Sequence, residues 1–99
     1  MIARIWHGKT KVEDYDTYAD FIIKTAIPNY SKTKGFIKLS FLRNIKENEG
    51  HFTLITYWEN LAVIKNFAGD DFEKAKYYPE DDNFLLEFEE KVMHYEVFA

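Results

Sequence analysis

The alternation of apolar side chains within the predicted strands is the feature that most constrains how this chain can fold. In residues 2–8 both sets of alternate positions carry bulk, with Ile2 and Trp6 on one set and Ile5 on the other. Residues 36–43 and 51–59 show the same pattern. Successive residues of a strand point to opposite faces of its sheet, so this sheet has two apolar faces. Each apolar face must therefore be buried, either by helices of this chain or by another chain.

The segments between and after these strands predict two helices and a fourth strand. In residues 11–27, Tyr15, Tyr18, Ile22 and Ala26 recur at helical spacing, and the helix is expected to end at Pro28, with a further turn up to Gly35. Asn60 is a good N-cap for a short helix that Gly69 closes. The remaining predictions are a hairpin turn over 44–50, one or two helical turns over 71–78, a solvated acidic loop over 80–83 and a last strand over 92–98.

This order, β-α-β-β-α-β, predicts one α+β domain spanning residues 1–99 with the ferredoxin-like plan. A four-stranded antiparallel sheet then carries both helices on one face. Large apolar patches on monomers usually mark interfaces, so we expect the other face to pair with a second copy as a homodimer. Trp6 is expected on that dimer face, and His7 on the face toward the helices.

Composition and charge exclude several classes of protein. There is no cysteine, so a disulfide scaffold, a thiolate metal site and a cysteine nucleophile are all excluded. The formal net charge of −4 and the scattered lysines argue against nucleic acid as a partner. The N-terminus has neither a signal peptide nor an apolar span long enough for a membrane, so a cytoplasmic protein without a membrane partner is expected.

The strand ending Thr56-Tyr57-Trp58-Glu59, the Asn60-capped helix after it and the closing segment 92–97 resemble the antibiotic biosynthesis monooxygenase domain family. The likeness spans nearly the whole chain. It implies a dimeric α+β barrel in which two sheets face each other and each subunit has a pocket between sheet and helices. Some members of the family oxidise polycyclic aromatics with dioxygen and no metal or flavin, because the electron-rich substrate anion supplies the electrons. Others bind and degrade haem, and many have no established activity.

The haem-degrading branch of that family typically has an Asn near the end of the first strand, a Trp in the helix after the Trp-bearing strand and a His about ten residues later. At the matching positions this chain has His7, Phe67 and Tyr77 or Tyr78, so all three differ. Without the helix-borne His, no neutral imidazole is placed to ligate iron. The resemblance therefore disfavours haem degradation, and no cofactor is expected.

Histidines supply the candidate catalytic groups. An imidazole at His7, if its face looks toward the helices, can accept a proton from a phenolic substrate near neutral pH. The alternative is that His7 only hydrogen-bonds a loop carbonyl. His94 is expected within a few residues' register of His7, as a relay or a weak metal site, whereas His51 is expected at the opposite end of the sheet.

Aromatic residues supply candidates for holding a flat ligand. Tyr77 is a catalytic candidate, because with Tyr78 it precedes Pro79 and is expected to line the pocket mouth as a hydrogen-bond donor or stacking surface. Further ligand-binding candidates are Tyr30, Tyr57 and Phe67. The alternative is that these aromatics belong to the core. Three functions stay open: an oxygenase acting on a flat aromatic or polyketide-like molecule, a non-catalytic binding or stress-response module, and haem binding without degradation.

Overall fold

The computed structural model describes residues 1–99 and shows an antiparallel sheet with two helices packed on one face. The elements in chain order are β1 (Ile2–Lys11), a 3-10 turn (Val12–Asp14), α1 (Tyr15–Ser31), β2 (Phe36–Lys46), β3 (Glu49–Trp58), α2 (Leu61–Ala68), a 3-10 helix (Pro79–Asn83) and β4 (Met93–Glu96). The strands lie in the order β2-β3-β1-β4, and all neighbours are antiparallel. The predicted α+β ferredoxin-like fold is confirmed.

Helix α1 begins and ends later than the sequence predicts. It starts at Tyr15 and continues through Pro28 to Ser31. A proline breaks a helix by clashing with the carbonyl one turn earlier and by lacking an N–H. Pro28 lies in the last turn, where its own carbonyl accepts from the amide of Lys32 at 3.3 Å, so the helix ends only one turn after it.

The hairpin between β2 and β3 is much tighter than the predicted turn over 44–50. Its loop is only Glu47 and Asn48, both with positive φ, at 53° and 60°. Two successive left-handed residues match the twist of the flanking strands, which is why such turns join long hairpins. Both strands therefore extend into the polar segment.

Strand β1 also runs past its predicted end at Gly8, up to Lys11. A Cβ added at Gly8 would lie 2.4 Å from the Cη2 atom of Trp6. Gly8 therefore marks the place where the indole of Trp6 lies flat against its own strand, and the strand continues beyond it.

The core lies between the sheet and the helices. It is formed by buried residues of the sheet, of both helices and of the segment after α2: Trp6, Phe52, Leu54 and Trp58, then Tyr18, Ile22, Ala26, Tyr30 and Ile64, then Ala75, Leu85 and Val92. Trp58 and Ile64 are fully buried. The opposite side of the sheet, called here the outer face, has no element of this chain packed across it as the helices pack on the inner face.

Of the one or two turns predicted over 71–78, the segment 69–92 forms one, closed by the Lys74 amide, which donates to the Asp71 carbonyl at 3.1 Å. A single bridge joins Lys74 to Lys91, and the 3-10 helix Pro79–Asn83 replaces the predicted solvated loop. The segment then runs along the edge of β1, where the Leu86 amide donates to the Lys9 carbonyl at 2.9 Å. Strand β4 is shorter than its predicted range of 92–98.

Candidate functional site

The register of β1 reverses the predicted assignment of the two sheet faces. Trp6 pairs with Leu54, and both are buried against the helices. His7 pairs with Thr53 on the outer face. The predictions that Trp6 lies on a dimer face and that His7 lines a helix-side pocket are therefore wrong in their placement, because the buried set of β1 is the one that contains Trp6.

A small interior cavity lies beside Trp6, between the sheet, α1 and the segment after α2. Its volume is about 20 Å³, enough for about one water molecule. Its lining is mostly apolar, with one ammonium and one carboxyl group: Trp6, Tyr18, Ile22, Ala26, Tyr30, Leu54, Lys76, Tyr78 and Asp81. The Nε1–H of Trp6 is buried and has no hydrogen-bond partner. Buried donors are rarely left unpaired, so an acceptor such as a water molecule or a ligand oxygen is expected beside this indole.

Asp81 is a site residue that the sequence analysis missed. It is 2% exposed, accepts from the Tyr18 hydroxyl at 2.8 Å and from the Tyr78 amide at 2.7 Å. Burial raises the pKa of its carboxyl above the ordinary value, and the two hydrogen bonds partly offset this. The signal available in the sequence was Pro79 at the first helical position with Asp81 two residues later, which is typical of a short helix start.

Tyr77 and Tyr78 both have a place at this site. The Tyr78 hydroxyl accepts from Asn29 Nδ2 at 2.9 Å and its ring lines the cavity. Tyr77 packs edge-on against Trp6, with ring centroids 5.9 Å apart, and its hydroxyl donates to the Glu89 carbonyl at 2.6 Å. Burial, with the nearby Glu89 carboxylate, raises the pKa of Tyr77 to about 12, so its phenol stays protonated at neutral pH.

An open cleft of about 480 Å³ lies on the other side of Tyr77. It is lined by Asp71, Lys74, Ala75, Tyr77, Phe88, Glu89, Glu90 and Lys91. Tyr77 lines the cleft and also contacts Trp6, whereas Trp6 itself does not line the cleft. The cleft falls within the size range of small-molecule sites, whereas the interior cavity does not.

Arg4 and His94 form a pair on the helix side of the sheet. Arg4 is 4% exposed and donates to the carbonyls of Phe72 and Lys74, and Arg4 Nη1 lies 3.0 Å from His94 Nε2. Burial lowers the pKa of Arg4, and burial with the Arg4 charge lowers the pKa of His94. His94 lies three residues from His7 in register but on the opposite face, so the predicted relay or metal site between them is not formed.

The residue that His7 does meet is His51, whose predicted position at the far end of the sheet is wrong. Strands β1 and β3 are antiparallel, and His7 Nε2 lies 3.3 Å from His51 Nδ1. The rings are stacked with centroids 5.5 Å apart. His7 Nδ1 lies 2.5 Å from a carboxylate oxygen of Glu89, a second residue that sequence patterns did not reveal.

The other predicted ligand-binding aromatics divide between the two faces. Tyr30 and Phe67 pack together in the core, with centroids 4.7 Å apart, and Lys76 Nζ lies 4.2 Å from the centre of the Phe67 ring. Tyr57 lies on the outer face, where Lys38 Nζ is 4.9 Å from the centre of its ring. Only Tyr30 of these three lines the interior cavity.

Two further features concern metals and membranes. No group of three or more His, Asp or Glu side chains is arranged to hold a metal ion. Neither helix has the length and apolar character that crossing a bilayer would require.

Comparison with known proteins identifies the fold. No protein-family model matches the sequence, and a sequence search among curated proteins gives no match. Among solved structures, the chain is similar to a mutant of MhuD whose crystal structure holds two manganese protoporphyrin IX molecules per active site. The TM-score is 0.63 at 14% identity, over 100% of this chain and 96% of that one. At this level of identity the likeness shows a shared α+β fold.

Proposed function

We propose that this protein binds a flat aromatic small molecule between its sheet and its helices, as a cytoplasmic homodimer. The observation that carries the proposal is the unpaired, buried Nε1–H of Trp6, which lines a cavity walled by aromatic rings. A ligand with an aromatic plane and a carbonyl or phenolic oxygen would stack on those rings and accept from the indole. The porphyrins held by MhuD, which are flat aromatic macrocycles, support a planar ligand in this fold.

The ligand enters through the open cleft. The cleft has room for a small aromatic molecule, and the Tyr77 ring both lines it and contacts Trp6. Residues 75–78 form no helix or strand, so this wall can move without breaking the sheet or a helix. Rotation of Tyr77 exposes the indole and joins the cleft to the interior cavity.

Fluorescence titration with a dihydroxyanthrone tests binding. Trp6→Phe keeps a ring but loses the donor, so we expect affinity to fall about five- to tenfold, the effect of one hydrogen bond of about 1 kcal/mol. Tyr57→Phe, on the outer face, is the matched control and should bind as the wild type does. Absence of binding to the wild type, or equal affinity of the wild type and Trp6→Phe, contradicts the proposal.

Oxygenation of that ligand is the reaction we propose for this site. The ligand anion supplies the electrons that reduce dioxygen, so proton removal from its phenol is the step the protein must assist. Asp81 supports the proposal, because its buried carboxyl lines the cavity and has a raised pKa. The role first expected of His7 does not fit this ligand position, since the sheet lies between them.

Oxygen consumption with the dihydroxyanthrone distinguishes the enzyme from a non-catalytic binding module. Wild-type turnover that is lost in Asp81→Asn, with binding retained and a folded circular dichroism spectrum, supports Asp81 as the base. Binding without any oxygen consumption identifies the binding module instead. A Soret titration should show no imidazole-type shift, because residues 61–83 contain no histidine.

The homodimer is proposed to form through the outer face. Ile5 and Ile55 pair at its centre, and Met93 and Tyr95 are 56% and 50% exposed beside them. The polar part of the same face carries both signs of charge, with Lys9 paired to Glu49 at 3.6 Å and to Glu87 at 3.7 Å, and mixed charge suits a surface that meets its own copy.

Sedimentation velocity tests the dimer. Ile55→Lys should give the monomer, because it buries a charge at the centre of the interface. Ile23→Lys is the matched control, since Ile23 is 54% exposed on α1 and lies on the helix side. A monomeric wild type, or a dimeric Ile55→Lys protein, contradicts this interface.

A further inference from the structure

The outer face carries a pair of imidazoles with the spacing of metal ligands. His7 on β1 and His51 on β3 come together because the two strands are antiparallel, with Lys9 opposite His51 and His7 opposite Thr53. The two histidines are thus diagonal neighbours on one face, close enough for long side chains to meet. Their facing nitrogens, His7 Nε2 and His51 Nδ1, are 3.3 Å apart.

That separation matches the edge of a zinc tetrahedron. Zinc–nitrogen bonds are about 2.0–2.1 Å, and the tetrahedral angle then places two ligand nitrogens about 3.3–3.4 Å apart. Square-planar ligation at the same bond length would need a shorter separation of about 2.9 Å. The separation of the two nitrogens is thus that of tetrahedral ligation, and it is also within hydrogen-bond range, so the imidazoles contact each other directly when no ion is bound.

Glu89 supplies the supporting contact that metal-binding histidines usually have. Its carboxylate lies 2.5 Å from His7 Nδ1, where it accepts a proton carried on that nitrogen, and in this tautomer the lone pair of Nε2 is available to a metal ion. A carboxylate behind a ligating histidine fixes the ring and raises its basicity. In the single chain 35% of the His7 side chain is exposed, and the outer face on which it lies is the face proposed above to meet a second copy.

We propose that His7 and His51 bind one Zn²⁺ ion on the outer face, with Glu89 as the positioning residue of His7 and water completing the coordination. The chain provides two protein ligands and no third, since Glu89 is bonded to the far nitrogen of His7. This site lies on the opposite side of the sheet from Trp6 and Asp81, so it is separate from the ligand site proposed above. The ion clamps β1 to β3 and to the segment that carries Glu89.

Calorimetric titration with Zn²⁺ tests the site on the full chain. The wild type should bind one ion per chain, and His51→Ala should bind none. His94→Ala is the matched control, because His94 lies on the opposite face beside Arg4 and should leave binding unchanged. Absence of binding to the wild type, or retention of binding by His51→Ala, overturns the proposal.

Two further measurements distinguish a site formed by both histidines from a single surface histidine that binds zinc. Co²⁺ bound in place of Zn²⁺ should give the intense visible absorption of tetrahedral coordination, and only weak octahedral bands would contradict the geometry. Glu89→Ala should weaken affinity about 10- to 100-fold, as expected for loss of the carboxylate behind a ligand. Unchanged affinity in Glu89→Ala would show that the carboxylate does not position His7, and would overturn that part of the proposal.

Discussion

The hydroxyl of Tyr18 donates to Oδ1 of Asp81 at 2.8 Å and joins α1 to a 3-10 helix that lies 63 residues further along the chain. Both residues are almost fully buried, at 1% and 2% exposure. The bond is therefore shielded from water, and it fixes the floor of the cavity beside Trp6.

Tyr18→Phe should lower the free energy of unfolding by about 1–3 kcal/mol. The substitution keeps the ring and removes one of the two donors to a buried carboxyl group, which is then left partly unsatisfied. Urea unfolding measures the change. Tyr57→Phe on the outer face is the control, with an expected change within about 0.5 kcal/mol, and equal effects of the two variants would contradict the prediction.

Asp81 should make stability depend on pH in a direction opposite to that of a salt-bridged aspartate. Burial raises its pKa in the folded state, so between the ordinary and the raised pKa the native protein holds a proton that the unfolded chain has released. Stability therefore falls as the pH rises through that interval and is level above it.

The variant Asp81→Asn has no titrating carboxyl group at this position, so it serves as the reference. The free energy of unfolding of the wild type minus that of Asp81→Asn should decrease as the pH rises through the interval. Urea unfolding at a series of pH values measures it. A difference that stays constant, or that changes in favour of the wild type, would show that burial does not raise this pKa.

Arg4→Met should loosen the segment after α2. Arg4 donates to the carbonyls of Phe72 and Lys74 and ties the first part of this segment to β1. We expect a loss of about 1–3 kcal/mol and faster amide hydrogen exchange at Ala75 and Val92, whose bonds close the same segment. Arg43→Met is the control, since that arginine pairs with exposed Asp16. Exchange rates unchanged by Arg4→Met would refute the role of this side chain.

Two glycines with positive φ should respond differently to alanine. Gly69 has φ 86° and ψ −178° with open space around it, so Gly69→Ala should cost only backbone strain, about 1–3 kcal/mol. Gly35 has φ 93°, and an added Cβ would lie 2.5 Å from the Cβ of Val63, so overpacking adds about 1–3 kcal/mol. Thermal unfolding measures both, and the prediction fails if Gly69→Ala is the more damaging of the two.

The element order was predictable from the sequence, because it depends on local periodicity. The spacing of Tyr18, Ile22 and Ala26 indicates a helix, and the alternation around Leu54 indicates a strand. The assignment of faces was not predictable, because β1, β2 and β3 have apolar side chains on both faces. The choice depends on which set fits under the helices, and at β1 the small Gly8 leaves room for the Trp6 ring on that side.

The candidate site was predicted only in part. Tyr78 and Tyr30 line the cavity and Tyr77 contacts Trp6, while the binding of a ligand by these residues stays a prediction. Asp81, Arg4 and Glu89 were missed, because their roles come from contacts between residues more than 60 positions apart. Nothing in a local pattern distinguishes a buried Asp81 from its solvated neighbours in an acidic run.

The two residue sets of β1 also decide how the strand can be altered. Inserting one amino acid ahead of Trp6 would exchange the sets, placing an imidazole in the interior and the indole outside. Substituting Ile5 or His7 leaves the interior unchanged and alters only the side chains on the outer face of the sheet. The strand should therefore tolerate substitutions on its outer face but not insertions or deletions. Substitutions there would change how the protein assembles without changing the ligand site on the other face.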